Sequence, residues 1–220
     1  MKTKHAIIES ATAVFGKYGL YGAKMTEIAE KADVNKALVY YHFKTRENLY
    51  RIVLGTNLKH MINDLHYNLF LKHVSKPKED QIIRIFIHYW EEQTEVLHLL
   101  TMEIHQGGDL LFDLLRDSKT SETYDKLYNI TTLLEEHVHL GSEDAQQVIQ
   151  RFISFIGIII IYFLLEPIFA RILGMREDER SEFLEQRIQF IKHLYQAHKK
   201  TLAGNNFPAT RGVNNEHAED

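Results

Sequence analysis

The chain has 220 residues, a formal net charge of −4 and no cysteine, which excludes a disulfide framework and a thiolate metal centre and agrees with a reducing cytoplasm. Residues 1–60 hold ten Lys or Arg against five Asp or Glu, a net of +5, so the remainder carries −9; such a basic amino-terminal module on an acidic body suits a polyanionic partner. The chain can bury a sizeable core as one domain or two, it opens on charged residues rather than an apolar signal, and its longest apolar run, Phe152 to Leu165, is shorter than the roughly twenty residues of a membrane span.

Helical spacing recurs throughout and strand alternation is not sustained, so an all-α fold is expected. Ile7, Ile8, Ala11, Val14 and Phe15 mark one face of a first helix that ends near Gly19 and Gly22. Thr26 is expected to cap a second helix with Ile28, Ala29 and Ala32 on its apolar face. After the turn 32–35, Asn35 is expected to cap a third helix, Lys36 to Phe43, and Thr45 a fourth. At about 100° per residue, Val39 and Phe43 anchor the third helix to the second. Ala37 and Tyr41 then lie opposite that anchor, with Lys36 and Tyr40 on one flank and Leu38 and His42 on the other.

A helix of two turns that presents Lys, Tyr, Tyr, His and a bare Ala to solvent suits entry into a DNA major groove. The small residue permits close approach, the phenols reach bases and phosphates, and the cations neutralise phosphate charge. Lys24, Lys44 and Arg46 lie where the DNA backbone would flank it. The bland alternative is that Tyr40, Tyr41 and His42 pack against another domain. The stretch Leu38 to Leu49 resembles the signature of the TetR family of bacterial transcriptional regulators, and Ile7 to Gly19 resembles that family's first helix. The resemblance covers the first fifty to sixty residues. It implies that Thr26, Tyr41, His42 and Lys44 hold phosphates and that Lys36, Ala37 and Tyr40 face the groove. Asn35 and Leu38 depart from the commonest family pattern; Asn still caps, and Leu can meet a thymine methyl, so the departures bear on which operator is read.

Past residue 50 a long helix from about Thr45 to Val74 is expected, broken at Lys76-Pro77-Lys78. Helices at about 79–106 and 109–139 follow, separated by Gly107-Gly108 and closed at Gly141. Ser142 opens the next, kinked or broken at Pro167 and ended at Gly174, and a last helix runs from about Asp178 to Leu202. The organisation expected is a helix-turn-helix domain at 1–50, with the motif at about 25–44, a helical effector-binding and dimerisation domain at 51–203, and a disordered tail at 204–220.

The segment 145–165 is apolar on nearly all sides and the last helix carries a wide apolar stripe; covering both is easier in a dimer. The resemblance implies a four-helix interface with a second copy, with Phe152, Ile156, Ile160, Phe183, Arg187, Phe190 and Leu194 expected in it. A two-fold dimer demands a palindromic operator. The body is rich in aromatic and histidine side chains. Tyr67, Phe86, Tyr89, Trp90, His98, Met102, His105, Phe112, Tyr128, Phe155 and Tyr162 are candidates to line a cavity for a small-molecule effector of apolar or aromatic character. For any one of them, plain core packing is the competing reading. His98 and His105 lie seven apart and His137 and His139 two apart, neither being the i, i+4 spacing of a zinc helix, so no metal and no cofactor are expected. A catalytic motif is not found either. The expectation is therefore a cytoplasmic, homodimeric, ligand-relieved repressor that binds double-stranded operator DNA, is not an enzyme and does not enter a membrane. The alternative is a helical small-molecule or metal-binding protein without operator-specific DNA binding.

Overall fold

The computed structural model describes residues 2–72, 77–117, 122–137 and 145–204. These residues form ten α-helices and one π-helical turn, and no strand occurs among them. The all-α expectation holds.

Helix α1 (Lys2–Gly22) buries Ile7, Ala11 and Phe15, the face that the apolar spacing marks. Helices α2 (Met25–Lys31) and α3 (Lys36–Phe43) pack on it through Ile28, Ala29, Val39 and Phe43, all buried. Helix α4 (Arg46–His66) runs on from this trio and contributes Leu49, Tyr50, Val53, Leu54 and Ile62 to the same core. A single π turn, Tyr67–Leu71, ends it, so the regular helix is shorter than expected.

The stretch expected as one helix over 79–106 is two, α5 (Glu79–Glu92) and α6 (Thr94–His105). Gln93, at φ −118 and ψ 41, breaks the run without a Gly or Pro to mark it, and the bend lets α6 lie along α1. Contact there is close: a Cβ on Gly16 would stand 2.9 Å from the Glu95 carbonyl oxygen. The Gly107-Gly108 break is present, both residues having positive φ. Beyond it lie α7 (Asp109–Asp117) and α8 (Glu122–His137), within the span 109–139 expected as one helix, of which residues 118–121 and 138–139 lie outside those described. The expected stop at Gly141, the start at Ser142 and the tail beyond Gly204 lie outside the described residues.

Helix α9 (Ala145–Leu173) is continuous through Pro167, where a kink or break is expected from the lost backbone donor, so the break is absent. It ends on Gly174, φ 65, with the Met175 N–H donating to the Ala170 carbonyl at 2.9 Å, the Schellman arrangement. Three ties hold the part of α9 that precedes Pro167 against α10 (Glu177–Gly204). The Arg180 guanidinium forms a bidentate pair with the buried Glu166 carboxylate at 2.7 and 2.9 Å, Arg187 donates to the Ile158 carbonyl at 2.7 Å, and the Tyr162 and Phe183 rings lie 5.9 Å apart. Because the helix does not stop at Pro167, its apolar part, Ile153–Leu173, spans 21 residues and by length and composition suffices to cross a membrane. Glu166, paired with Arg180 of α10, sits within that stretch, and Phe155 and Ile159 on its inner face meet Phe86 and the rest of the core.

Candidate nucleic-acid interface

Asn35 caps α3 as expected, its Oδ1 accepting the Leu38 N–H at 2.8 Å, and Thr45 caps α4 by accepting from the Asn48 N–H at 3.1 Å. Thr26 does not cap α2. The helix starts two residues earlier because Met25 is buried and already helical, so extended Lys24 takes the capping place without a side-chain bond. The Thr26 side chain is left exposed at the surface.

Between α3 and α4 the chain reverses at Lys44. Its φ of 65 and ψ of −59, with the Thr45 N–H donating to the Phe43 carbonyl at 2.8 Å, form the strained kind of γ-turn that L-residues rarely adopt. The Lys44 N–H donates to the Tyr40 carbonyl and the Asn48 side-chain amide to the Phe43 carbonyl, which pin the reversal from both sides. This holds the Lys44 ammonium 5.4 Å from the Tyr41 ring, as Lys36 stands 5.7 Å from that of Tyr40.

The outcome is a groove of about 540 Å³ lined by Ala23, Lys24, Met25, Thr26, Lys36, Tyr40, Lys44, Thr45, Arg46 and Glu47. Six of the eleven residues expected to meet DNA therefore converge: Lys24, Thr26, Lys36, Tyr40, Lys44 and Arg46. Four cations face one carboxylate, and that carboxylate is held by Arg46 at 3.2 Å. Arg46 also donates to the Tyr21 carbonyl at 3.3 Å. Ala37 and Tyr41 are exposed on the outer face of α3, Tyr41 to 69%, while Leu38 and His42 are half-buried on the far flank. Asn35 is exposed, but its side-chain oxygen is taken by the cap. Ala23, Met25 and Glu47 line the groove without having been singled out by the sequence, and Thr45, expected only as a cap, lines it too.

The residues expected to line an effector cavity do not converge. Phe86, Tyr89, Trp90 and Phe155 are buried in the core, with Phe86 and Phe155 edge to face at 5.3 Å. Tyr162 is half-buried against α10, and burial raises its phenol to about 12. Tyr67, Phe112 and Tyr128 are more than half exposed, and His98 and His105 are exposed on α6. Met102 turns towards α1, its Cε lying 3.0 Å from where a Cβ on Gly19 would stand. Tyr89 lines a cleft of about 420 Å³ of mixed character with Asp64, Leu65, Arg84, Ile85, His88 and Glu92 among others, whereas a narrower slot of about 150 Å³ is mainly apolar, lined by Gly55, Leu58, Ile62, Leu114 and Leu115 with Lys59 and Thr123 at its edge. Among the described residues no three His, Asp or Glu side chains cluster as metal ligands would.

Nothing in the sequence points to the polar link beneath α4. The Tyr50 hydroxyl donates to Glu103 at 2.9 Å, and the other oxygen of that buried carboxylate accepts the Leu110 N–H in the first turn of α7 at 3.1 Å. Burial, and then the neighbouring carboxylate, hold the Tyr50 phenol well above its usual range. Of the expected interface residues, Ile156, Ile160, Phe183 and Arg187 are half-buried and Phe190 and Leu194 are exposed; the Phe152 side chain lies outside those described. Ile153, Ile161, Ile168 and Ile172, four exposed isoleucines, extend the same outer face along α9.

Residues 7–53 match the family model described as bacterial regulatory proteins, tetR family. The chain is 28% identical over 120 residues to the HTH-type transcriptional regulator RutR of Escherichia coli, a match covering 51% of this chain and 52% of RutR, so it spans about half the length of that relative. It is 22% identical over 192 residues to IcaR of Staphylococcus epidermidis, the negative transcriptional regulator of the biofilm operon icaADBC, covering 83% of this chain and 94% of IcaR. The crystal structure of the regulator FadR from Bacillus subtilis, in complex with stearoyl-CoA, superposes with a TM-score of 0.56 at 15% identity, covering 85% of this chain and 96% of FadR, which shows a shared fold.

Proposed function

We propose, from the match of residues 7–53 to the tetR family model, that this chain is a TetR-family regulator and a homodimeric repressor whose α2–α3 groove binds a palindromic operator until a small-molecule effector releases it. The observation that carries this reading is the groove itself. Four cations and a tyrosine, gathered from the α2 start, α3 and the α4 start, line one open channel beside the solvent-facing Ala37 and Tyr41 of α3. Such an arrangement holds phosphates along its rim and offers α3 to base edges.

In this reading residues 1–50 are the DNA-binding module and 51–203 the body that dimerises and takes the effector. The apolar outer face of α9 and α10 supports the dimer, since an exposed patch of that extent on a water-facing protein marks an interaction surface. For the effector, the body offers a mainly apolar slot against α4, and the structural neighbour FadR binds stearoyl-CoA. An effector releases DNA only by its differential affinity for a state in which the two recognition helices no longer match the operator. The cytoplasm is the place for such a protein.

The test is affinity for duplexes selected from a random library. Tyr41→Ala and Lys36→Ala are expected to abolish selective binding while helicity and dimerisation stay as in the parent. Unchanged affinity in both variants would refute the placement of the recognition helix. Lack of any selective binding by the parent protein, together with saturable ligand or metal binding in the body, would favour the alternative of a helical binding protein.

A further inference from the structure

The last turn of α1 is bent out of line by Gly19, whose φ of 67 and ψ of −178 break the helix locally. The positive φ disfavours any side chain, and a Cβ would press on the flexible ends of two α6 side chains, at 2.7 Å from Gln106 Nε2 and 3.0 Å from Met102 Cε. Past the bend Leu20 turns inward against the core, and Tyr21 turns outward with 77% of its surface exposed, more than either tyrosine of the recognition helix. Its backbone is nonetheless held, because the Tyr21 carbonyl accepts from the Arg46 guanidinium at 3.3 Å. Arg46 lines the basic groove, as do Ala23 and Lys24 just beyond Tyr21 in the chain. Among the described residues the phenol hydroxyl has no hydrogen-bond partner. An aromatic side chain kept in water at a fixed place beside a cationic groove, with a free O–H, suits one ligand: an oxygen of the polyanion that fills the groove.

We propose that Tyr21 is a DNA-contacting residue outside the helix-turn-helix, donating its hydroxyl to a backbone phosphate one step beyond those held by Lys24 and Arg46. The proposal rests on the operator-binding reading above. Tyr21 thus lengthens each half-site footprint at the α1–α2 corner without reading sequence. Its position depends on Gly19, and through Gly19 on the end of α6.

The experiment compares the parent, Tyr21→Phe, Tyr21→Ala and Lys24→Ala on a duplex obtained by selection, with affinity followed against salt. Tyr21→Phe is expected to weaken binding about tenfold, as for loss of one hydrogen bond to a charged acceptor. Tyr21→Ala should match it, and both losses should be alike on every sequence. The salt slope should stay at the parent value in both, because the phenol is neutral, whereas Lys24→Ala should lower it by about one. Ethylation of a single phosphate per half-site should weaken the parent and leave Tyr21→Phe unaffected. If Tyr21→Phe binds as tightly as the parent and shows the same ethylation pattern, the proposal is wrong. Absence of selective DNA binding by the parent itself is a different result, which overturns the operator-binding reading and this contact with it.

Discussion

Lys44 carries two separable duties, a charge and a strained backbone, and a pair of substitutions divides them. Its φ of 65 on a non-glycine residue costs of order 1 kcal/mol. Lys44→Ala removes the ammonium and keeps the strain; Lys44→Gly removes both. The two variants are therefore expected to bind operator DNA equally weakly, each with a salt slope lower than the parent by about one. They should differ in stability, the glycine variant being firmer than the alanine variant by about 1 kcal/mol, which for a chain of this size moves the unfolding midpoint by roughly 2–4 °C. Thermal unfolding followed by circular dichroism, at matched protein concentration because the protein is proposed to dimerise, reads the stability. Anisotropy titrations over a salt series read the charge. Equal midpoints for the two variants would show that the turn is not strained, and an unchanged salt slope would show that the ammonium meets no phosphate.

Tyr50→Phe keeps the edge-to-face contact with Phe15 but strands one oxygen of the buried Glu103, so a loss of about 2 kcal/mol is expected in denaturant unfolding; a variant within 0.5 kcal/mol of the parent, roughly the noise of such substitutions, would dismiss the link. Arg180→Ala leaves the Glu166 carboxylate, 8% exposed, without its counter-ion and should cost about 2 kcal/mol, whereas the double change Glu166→Leu with Arg180→Leu should recover most of it. Arg84, with Gln189 assisting, lowers the Glu185 carboxyl to about 2, below its unfolded value, so the stabilisation is complete above the ordinary carboxylate range and is lost as pH falls towards about 2. Both side chains are about half exposed, which limits the effect to no more than about 1 kcal/mol and makes it salt-sensitive. The stability gap between parent and Arg84→Ala should accordingly close both at low pH and in concentrated salt.

The amino-terminal helices were readable because short-range chemistry decides them. Asn35 and Thr45 cap where their side chains reach an amide three residues on, and Val39 and Phe43 fall on the buried face that the helical period assigns. The basic residues of the groove were readable too, since Lys24, Lys36, Lys44 and Arg46 lie close in sequence to the elements that gather them. Thr26 misled because a good capping residue stands next to a buried Met25 that pulls the helix start forward. In the body, tertiary packing overrides local signals: Gln93 breaks a helix that has no breaker, and Pro167 sits inside a helix that continues to Leu173. Aromatic richness likewise did not locate a cavity, because Phe86, Trp90 and Phe155 fill the core while Phe112 and Tyr128 face water. The Tyr50–Glu103 bond joins residues 53 apart in the chain and has no signature along it.

The central claim, that two copies of the α2–α3 groove read a palindrome, is tested most directly by selecting duplexes from a random library and weighing the selected complex by sedimentation. The expected result is an inverted repeat whose half-sites are spaced for two recognition helices, bound by two protomers or a multiple of two. Recovery of no consensus, with only weak and sequence-blind binding that salt abolishes, would contradict it.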